Sequence, residues 1–212
     1  MKEGANTRPG PGRPAGADSG DTRHRVIVAA CRCFAQYGYG PATNNVIAEE
    51  AGVTPGSLHY HFGSKGNLFD AVCEYVYGKI IERSMAELTG PYSLRDLLRA
   101  VLGESLRINR ESPELAGFVA AAPIDARRHP ELTEAFGRQA TMMITALADA
   151  VKYGQRAGLI PAELDPVAAA GMISAIVDGF AHAAASVDAA EMDRMRELFD
   201  DLLLERGHSG KE

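Results

Sequence analysis

Cysteine is scarce in this chain of 212 residues: Cys31, Cys33 and Cys73 are the only three. An odd count with no paired framework excludes a disulfide scaffold and fits a reducing compartment. Cys31 and Cys33 stand two apart, so on a helix they point away from each other and read as small buried residues. Long apolar runs are missing too, and no stretch is expected to reach the roughly 20 residues that cross a bilayer. The opening MKEGANTRPGPGRPAGADSG has no apolar h-region and so does not read as a signal peptide. A cytoplasmic protein without membrane attachment is the expectation. Catalytic signatures are lacking as well: there is no phosphate-binding glycine loop, no G-x-S-x-G and no H-E-x-x-H. Period-2 alternation is absent, which leaves little room for a sheet.

What remains is a helical, unevenly charged chain. The apolar fraction of 46% is that of a globular protein. The formal net charge of −6 hides an asymmetry. Residues 1–65 carry seven basic and five acidic side chains, whereas the remainder carries 15 and 23. A cationic end that meets a polyanion and an acidic body with another task fit that split. Residues 1–20 are dense in proline and glycine with few large apolar groups, and they read as a disordered arm.

Helix starts are legible. Proline follows a polar cap at Thr54-Pro55, Ser112-Pro113, Asp165-Pro166 and His129-Pro130, where its missing N–H leaves nothing unsatisfied. Ser93 with Asp96, and Asp188 with Glu191, have capping-box spacing, and Ser64 caps a further start. Stops fall at Gly38, Gly52, Gly63, Gly90 and Gly158. These signals predict about nine helices, over 21–37, 44–51, 55–61, 64–88, 93–110, 113–122, 130–157, 166–186 and 189–205. Val26, Ala30, Cys33, Phe34 and Tyr37 form the apolar stripe of the first, and Met192, Met195, Phe199, Leu202 and Leu203 that of the last. The fold class is all-α.

The sharpest feature is residues 44–61, two short helices joined by AGVT. Ala51 permits close approach, Gly52 supplies the turn and Val53 plugs the crossing. This is the pattern of a helix-turn-helix, whose second helix enters the DNA major groove. Ile47, Ala48, Ala51, Val53 and Leu58 are expected inside. Asn44, Asn45, Ser57, His59, Tyr60 and His61 are left facing outward, with chemistry suited to base edges and phosphates. The amides around Gly56 and Ser57 could receive a phosphate, and Lys65 could add a flexible positive charge.

The segment TNNVIAEEAGVTPGSLHYHFGSKGNLF resembles the DNA-binding domain of the TetR family of transcriptional repressors. Thr43, Ile47, Ala48, Ala51, Gly52, Val53, Gly56, Ser57, Leu58, His61, Phe62, Ser64, Lys65 and Leu68 follow its pattern in order. The resemblance covers residues 21–69; the rest is similar only in helical architecture, acidity and length. His59 stands where the family usually has Tyr, with Tyr60 following. Asn44 stands where an apolar residue is common, and Asn45 where a basic residue often reads a base. The resemblance implies DNA contacts at Thr43, Asn44, Asn45, Pro55, Gly56, Ser57, His59, Tyr60, His61 and Lys65. With the arm at 1–20 read from composition, it also implies a three-helix DNA-binding domain at 21–66 and a larger helical ligand-binding and dimerisation domain at 67–212. The expected function is a repressor that binds a palindromic operator on double-stranded DNA as a homodimer and is released by a small molecule.

Three other classes compete, one of them an architectural nucleic-acid binder without a sensor, which would carry positive charge throughout rather than an acidic body. His59 and His61 are two apart, so their rings diverge by roughly 200° on a helix, whereas helical metal pairs use a spacing of three or four. No metal or cofactor is expected. An enzyme would need Asp125, His129 and His182 to meet; His129 reads instead as a helix cap and His182 as a core or interface residue. A helix-turn-helix incidental to metal binding or catalysis is the alternative reading. Within the body, residues 167–186 are rich in Ala and Gly, and with 189–205 they suggest a four-helix dimer interface through Met172, Ile176, Phe180, Met195, Phe199 and Leu202. Met85, Leu102, Leu106, Phe118, Phe136, Met142 and Met143 are candidates to line a pocket for an apolar or amphipathic effector.

Overall fold

The computed structural model describes residues 17–184 and 187–201. Among these there is no strand, and nine α-helices follow one another. They are α1 (Ala17–Tyr37), α2 (Asn44–Ala51), α3 (Pro55–Phe62), α4 (Lys65–Ala86), α5 (Leu94–Glu111), α6 (Pro113–Arg128), α7 (Thr133–Arg156), α8 (Pro166–Ala184) and α9 (Ala189–Phe199). A single 3-10 turn, Pro130–Leu132, leads into α7.

Most boundaries follow from local chemistry. Thr43, Thr54, Ser64, Ser93 and Asp188 each accept a backbone N–H at their helix starts, and Ser93 with Asp96 forms a complete capping box. Asp165 Oδ1 accepts from Val167 and Ala168 at 2.8 and 3.2 Å. All five glycine stops have positive φ.

Several expectations are corrected. Helix α1 begins at Ala17, so residues 17–20 are helical rather than part of an arm; residues 1–16 lie outside the described residues. Helix α6 runs through Pro123 to Arg128, past the end expected at 122. Proline removes one hydrogen bond, to the carbonyl four residues back, and a helix buried on one side tolerates that loss. Neither Ser112 nor His129 caps its helix through the side chain. Tyr37 is 49% exposed, and Tyr39 takes the core place expected of it. Helix α8 is long and apolar enough to cross a membrane by length and composition, contrary to the expectation that no run came close. It packs against α5 and α7, yet only 17% of its apolar window is buried within the chain.

The largest buried cluster crosses the proposed boundary at residue 66. It combines Val26, Ala30 and Phe34 of α1, Ile47 and Leu58 of α2 and α3, and Phe69 and Val72 of α4 with Phe118 and Ala122 of α6. Helices α1 and α6 touch closely: a Cβ at Gly117 would stand 3.0 Å from that of Ala35. Helices α5, α7 and α8 enclose a second cluster around Leu97, Val151 and Ile173.

Candidate nucleic-acid interface

The reading element is built by burial on one side. Ile47 and Leu58 are fully buried, Ala48 and Ala51 nearly so, and Val53 packs against the same cluster. Gly52 closes α2 at φ +64°, ψ +39°, a conformation costly for any residue with a Cβ. Its N–H reaches the carbonyls of Ala48 and Glu49, and the Val53 N–H bonds Ala48 O at 2.9 Å. The turn therefore fixes α3 against α2 by backbone bonds as well as packing.

The opposite face is open. Tyr60 is 84% exposed, and His59, Asn45, Pro55 and Gly56 are exposed beside it. Ser57, His61 and Asn44 are half-buried. The rings of Tyr60 and His61 meet edge-on at 5.3 Å, and His61 lies 6.3 Å from Phe62, so its orientation is set by aromatic neighbours. Asn44 Oδ1 is buried without a hydrogen-bond partner.

Three of the residues expected to contact DNA also make bonds within the chain. The Thr43 hydroxyl accepts from Val46 N–H at 3.3 Å, and the Ser57 N–H donates to Thr54 Oγ1 at 3.1 Å. With Pro55 lacking an N–H, Gly56 keeps the free amide at this helix start. Lys65 differs most from a flexible surface charge. Its Nζ donates to the carbonyls of Tyr39 (2.8 Å) and Gly40 (3.1 Å) and lies 4.2 Å from the centre of the Tyr39 ring. Burial lowers its pKa from the ordinary lysine value, with Glu131 and Asp125 pulling the other way. Lys65 is a tie between α4 and the α1–α2 loop.

Positive charge near the open face comes instead from α1. The Arg23 guanidinium lies over the Phe62 ring at 5.4 Å, and Arg25 reaches to within 4.0 Å of where a Gly52 Cβ would stand. The sequence reading missed both. Arg23 precedes Val26 by three residues, so the buried stripe of α1 already placed it on the side of the helix that meets α3.

A second feature lies in the body. Helices α4 to α8 surround a cavity of about 370 Å³. Of the expected lining residues, Phe136 and Met143 are there. Phe118 is fully buried among aromatic rings, Leu102 and Leu106 pack with Met192, Met85 packs against the second cluster, and Met142 is exposed. Tyr77, Ile80, Val119, Pro123, Asp178 and His182 were missed. Asp178 was findable: it is the single formally charged side chain in α8. Asp125, His129 and His182 do not gather. Asp125 and His129 face Tyr39, while His182 lines the cavity. Among the described residues, no group of three or more His, Cys, Asp or Glu could hold a metal ion.

On the outer side of α8, Met172 is exposed, as is Met195 on α9. Ile176, Phe180 and Phe199 turn inward instead: Ile176 joins the second cluster, and the Phe180 and Phe199 rings meet at 5.4 Å. Leu202 and Leu203 lie outside the described residues.

Comparison with known proteins agrees with this architecture. Residues 26–72 match the model described as "Bacterial regulatory proteins, tetR family", and residues 94–206 match "BetI-type transcriptional repressor, C-terminal". The chain is 32% identical over 101 residues to the HTH-type transcriptional repressor AcnR of Corynebacterium glutamicum, covering 48% of this chain and 51% of that protein. That match spans only about half the relative's length. The HTH-type transcriptional regulator ArpR of Pseudomonas putida is 31% identical over 171 residues, covering 75% of this chain and 78% of ArpR. A crystal structure of a TetR-family regulator from Rhodococcus sp. superposes with a TM-score of 0.72 at 25% identity, covering 86% of this chain and 98% of that one. With both of its parts matched and one relative matched across most of its length, the chain belongs to the TetR family of transcriptional regulators.

Proposed function

We propose that the chain is a repressor that binds a palindromic operator as a homodimer through the open face of α3 and is released when a small molecule enters the cavity of the body. The observation that carries this is Tyr60, 84% exposed on a short helix whose other side is fully buried. Tyrosine joins an apolar ring to a hydroxyl that can hydrogen-bond, a combination enriched at partner surfaces. The AcnR and BetI-type names support repression. The uncovered outer side of α8, with Met172 at 47% and Val167 at 59% exposure, supports a second copy. Two copies would place two α3 helices in major grooves about 34–36 Å apart. A regulator of this kind works in the cytoplasm, on DNA, without catalysing a reaction.

Selection of bound duplex from a random pool tests the reading. The expected product is an inverted repeat; a pool that stays random overturns it. On the selected operator, Tyr60→Ala is expected to weaken binding about tenfold, or ~1.4 kcal/mol, with thermal stability unchanged because the ring packs on little else. Unchanged affinity would remove Tyr60 from the interface. Arg23→Ala is expected to reduce the slope of log K against log salt by about 0.9, the release expected for one phosphate contact. Titrations at several salt concentrations read that slope directly.

A further inference from the structure

We propose that the cavity among α4 to α8 takes a cationic amphiphile, an ammonium or protonated amine on an apolar body, with Asp178 as its charge partner. This rests on the reading of that cavity as the effector site. The lining divides by chemistry. Its walls are aliphatic at Ile80, Val119, Met143 and Val177, its ionisable side chains are Tyr77, Asp178 and His182, and it contains no lysine or arginine. Asp178 is therefore the one formal negative charge of the lining, and it takes part in none of the ion pairs among the described residues.

The surroundings of that carboxylate favour an incoming cation. Partial desolvation raises its pKa from the ordinary value, with Ser174 acting the other way. Asp178 is exposed where it lines the cavity, so its carboxylate stands open to an incoming cation, and an opposite charge placed beside it favours the ionised form. The influence of Asp178 reaches across to α4. Burial pushes the Tyr77 phenol well up, and the Cys73 thiol and the Asp178 carboxylate add to that. Tyr77 in turn meets Phe136 edge-on at 6.3 Å, so aromatic rings that attract cations line the cavity that Asp178 faces. An anionic ligand would meet Asp178 with no cation to balance it. A neutral one would find only the walls. At about 370 Å³ the cavity sits near the lower end of the ~300–1,000 Å³ usual for small-molecule sites, which suits one short chain with a compact head.

Calorimetry on the full chain with three ten-carbon probes below their micellar concentrations separates the possibilities: decyltrimethylammonium, decanol and decanoate. The measurement is made at about pH 8, far above the ordinary carboxylate range. The ammonium is expected to bind at least about tenfold more tightly than decanol, and decanoate most weakly. Asp178→Asn should bring the ammonium down to the affinity of decanol while leaving decanol itself unchanged, and Asp178→Glu should restore the preference. Equal binding of all three probes, or a preference that survives Asp178→Asn, overturns the charge assignment and leaves the cavity as an effector site. If no probe binds, both the charge assignment and the effector reading fall.

Discussion

Phe118→Ala is expected to lower the stability of the chain by about 3–5 kcal/mol, the range for emptying a fully buried aromatic site. Phe118 has no exposed surface, and its ring centroid lies 5.4 Å from that of Phe69 and 6.4 Å from that of Phe34. Phe34 and Phe69 are themselves 5.5 Å apart, and Tyr39 stands 5.7 and 5.5 Å from them. The four rings come from α1, the loop after it, α4 and α6. Offset and edge-on pairs of this kind add about 0.5–1.5 kcal/mol beyond the area they bury. A chain of this size loses about 2–4 °C of melting temperature per kcal/mol, so a drop of roughly 6–20 °C is expected. Thermal and urea unfolding measure it. A drop below about 2 °C would mean that the ring is less tightly held than its burial states.

The same variant tests how the DNA-reading part is joined to the body. The four-ring cluster lies across the junction between residues 21–66 and the remainder, so head and body share a core there. Phe118→Ala should therefore lower the unfolding of both parts together, in one transition. Two separate transitions, with only the body shifted, would show the head to be an independent unit.

Much of this arrangement could be read from residue types. The helix-turn-helix was legible because its determinants are local: a Thr cap, a glycine in the left-handed region, a proline at the first helical position, and apolar residues at helical spacing. The class of the fold was legible for the same reason. The cavity was not. Phe118 and Met143 sit in similar apolar stretches, yet one fills an aromatic core and the other lines a void, because long-range helix crossings decide which side chain meets another. The internal bonds of Lys65 were not legible for a related reason. A lysine at a helix start on the expected binding surface reads as a free charge until the Tyr39 and Gly40 carbonyls, 25 or more residues away, are seen to take it. The sixth helix was expected to end at 122, but the burial of Asp125 and Ala126 beyond Pro123 holds another turn of α6 in place.

Asp125→Ala is expected to cost about 2–3 kcal/mol and to loosen the reading head more than the body. The Asp125 carboxylate, 7% exposed, accepts the Tyr39 N–H at 2.8 Å, and Tyr39 is itself buried. Removing the acceptor leaves a buried amide without a partner, a loss of about 1–3 kcal/mol, with more expected when the acceptor was charged. It also takes away one of the two acidic groups that act on Lys65, whose bonds to Tyr39 and Gly40 hold the same loop. That loop ends at Thr43, the cap of α2, so its position sets the entry of the reading element. Asp125→Asn keeps an oxygen that can accept the N–H and should lose about half as much. Pro123, two residues earlier on α6, lines the cavity. The wall of the proposed effector site and the grip on the head thus belong to one turn of one helix. A ligand can weaken DNA binding only by its own preference between two conformations, and α6 is the element through which cavity and head would share that preference. Asp125→Ala should therefore reduce both operator affinity and the further drop in affinity caused by a ligand in the cavity, with Asp125→Asn intermediate in each. Operator titrations with and without ligand read both quantities. A ligand effect of full size in the alanine variant would assign the coupling to another contact.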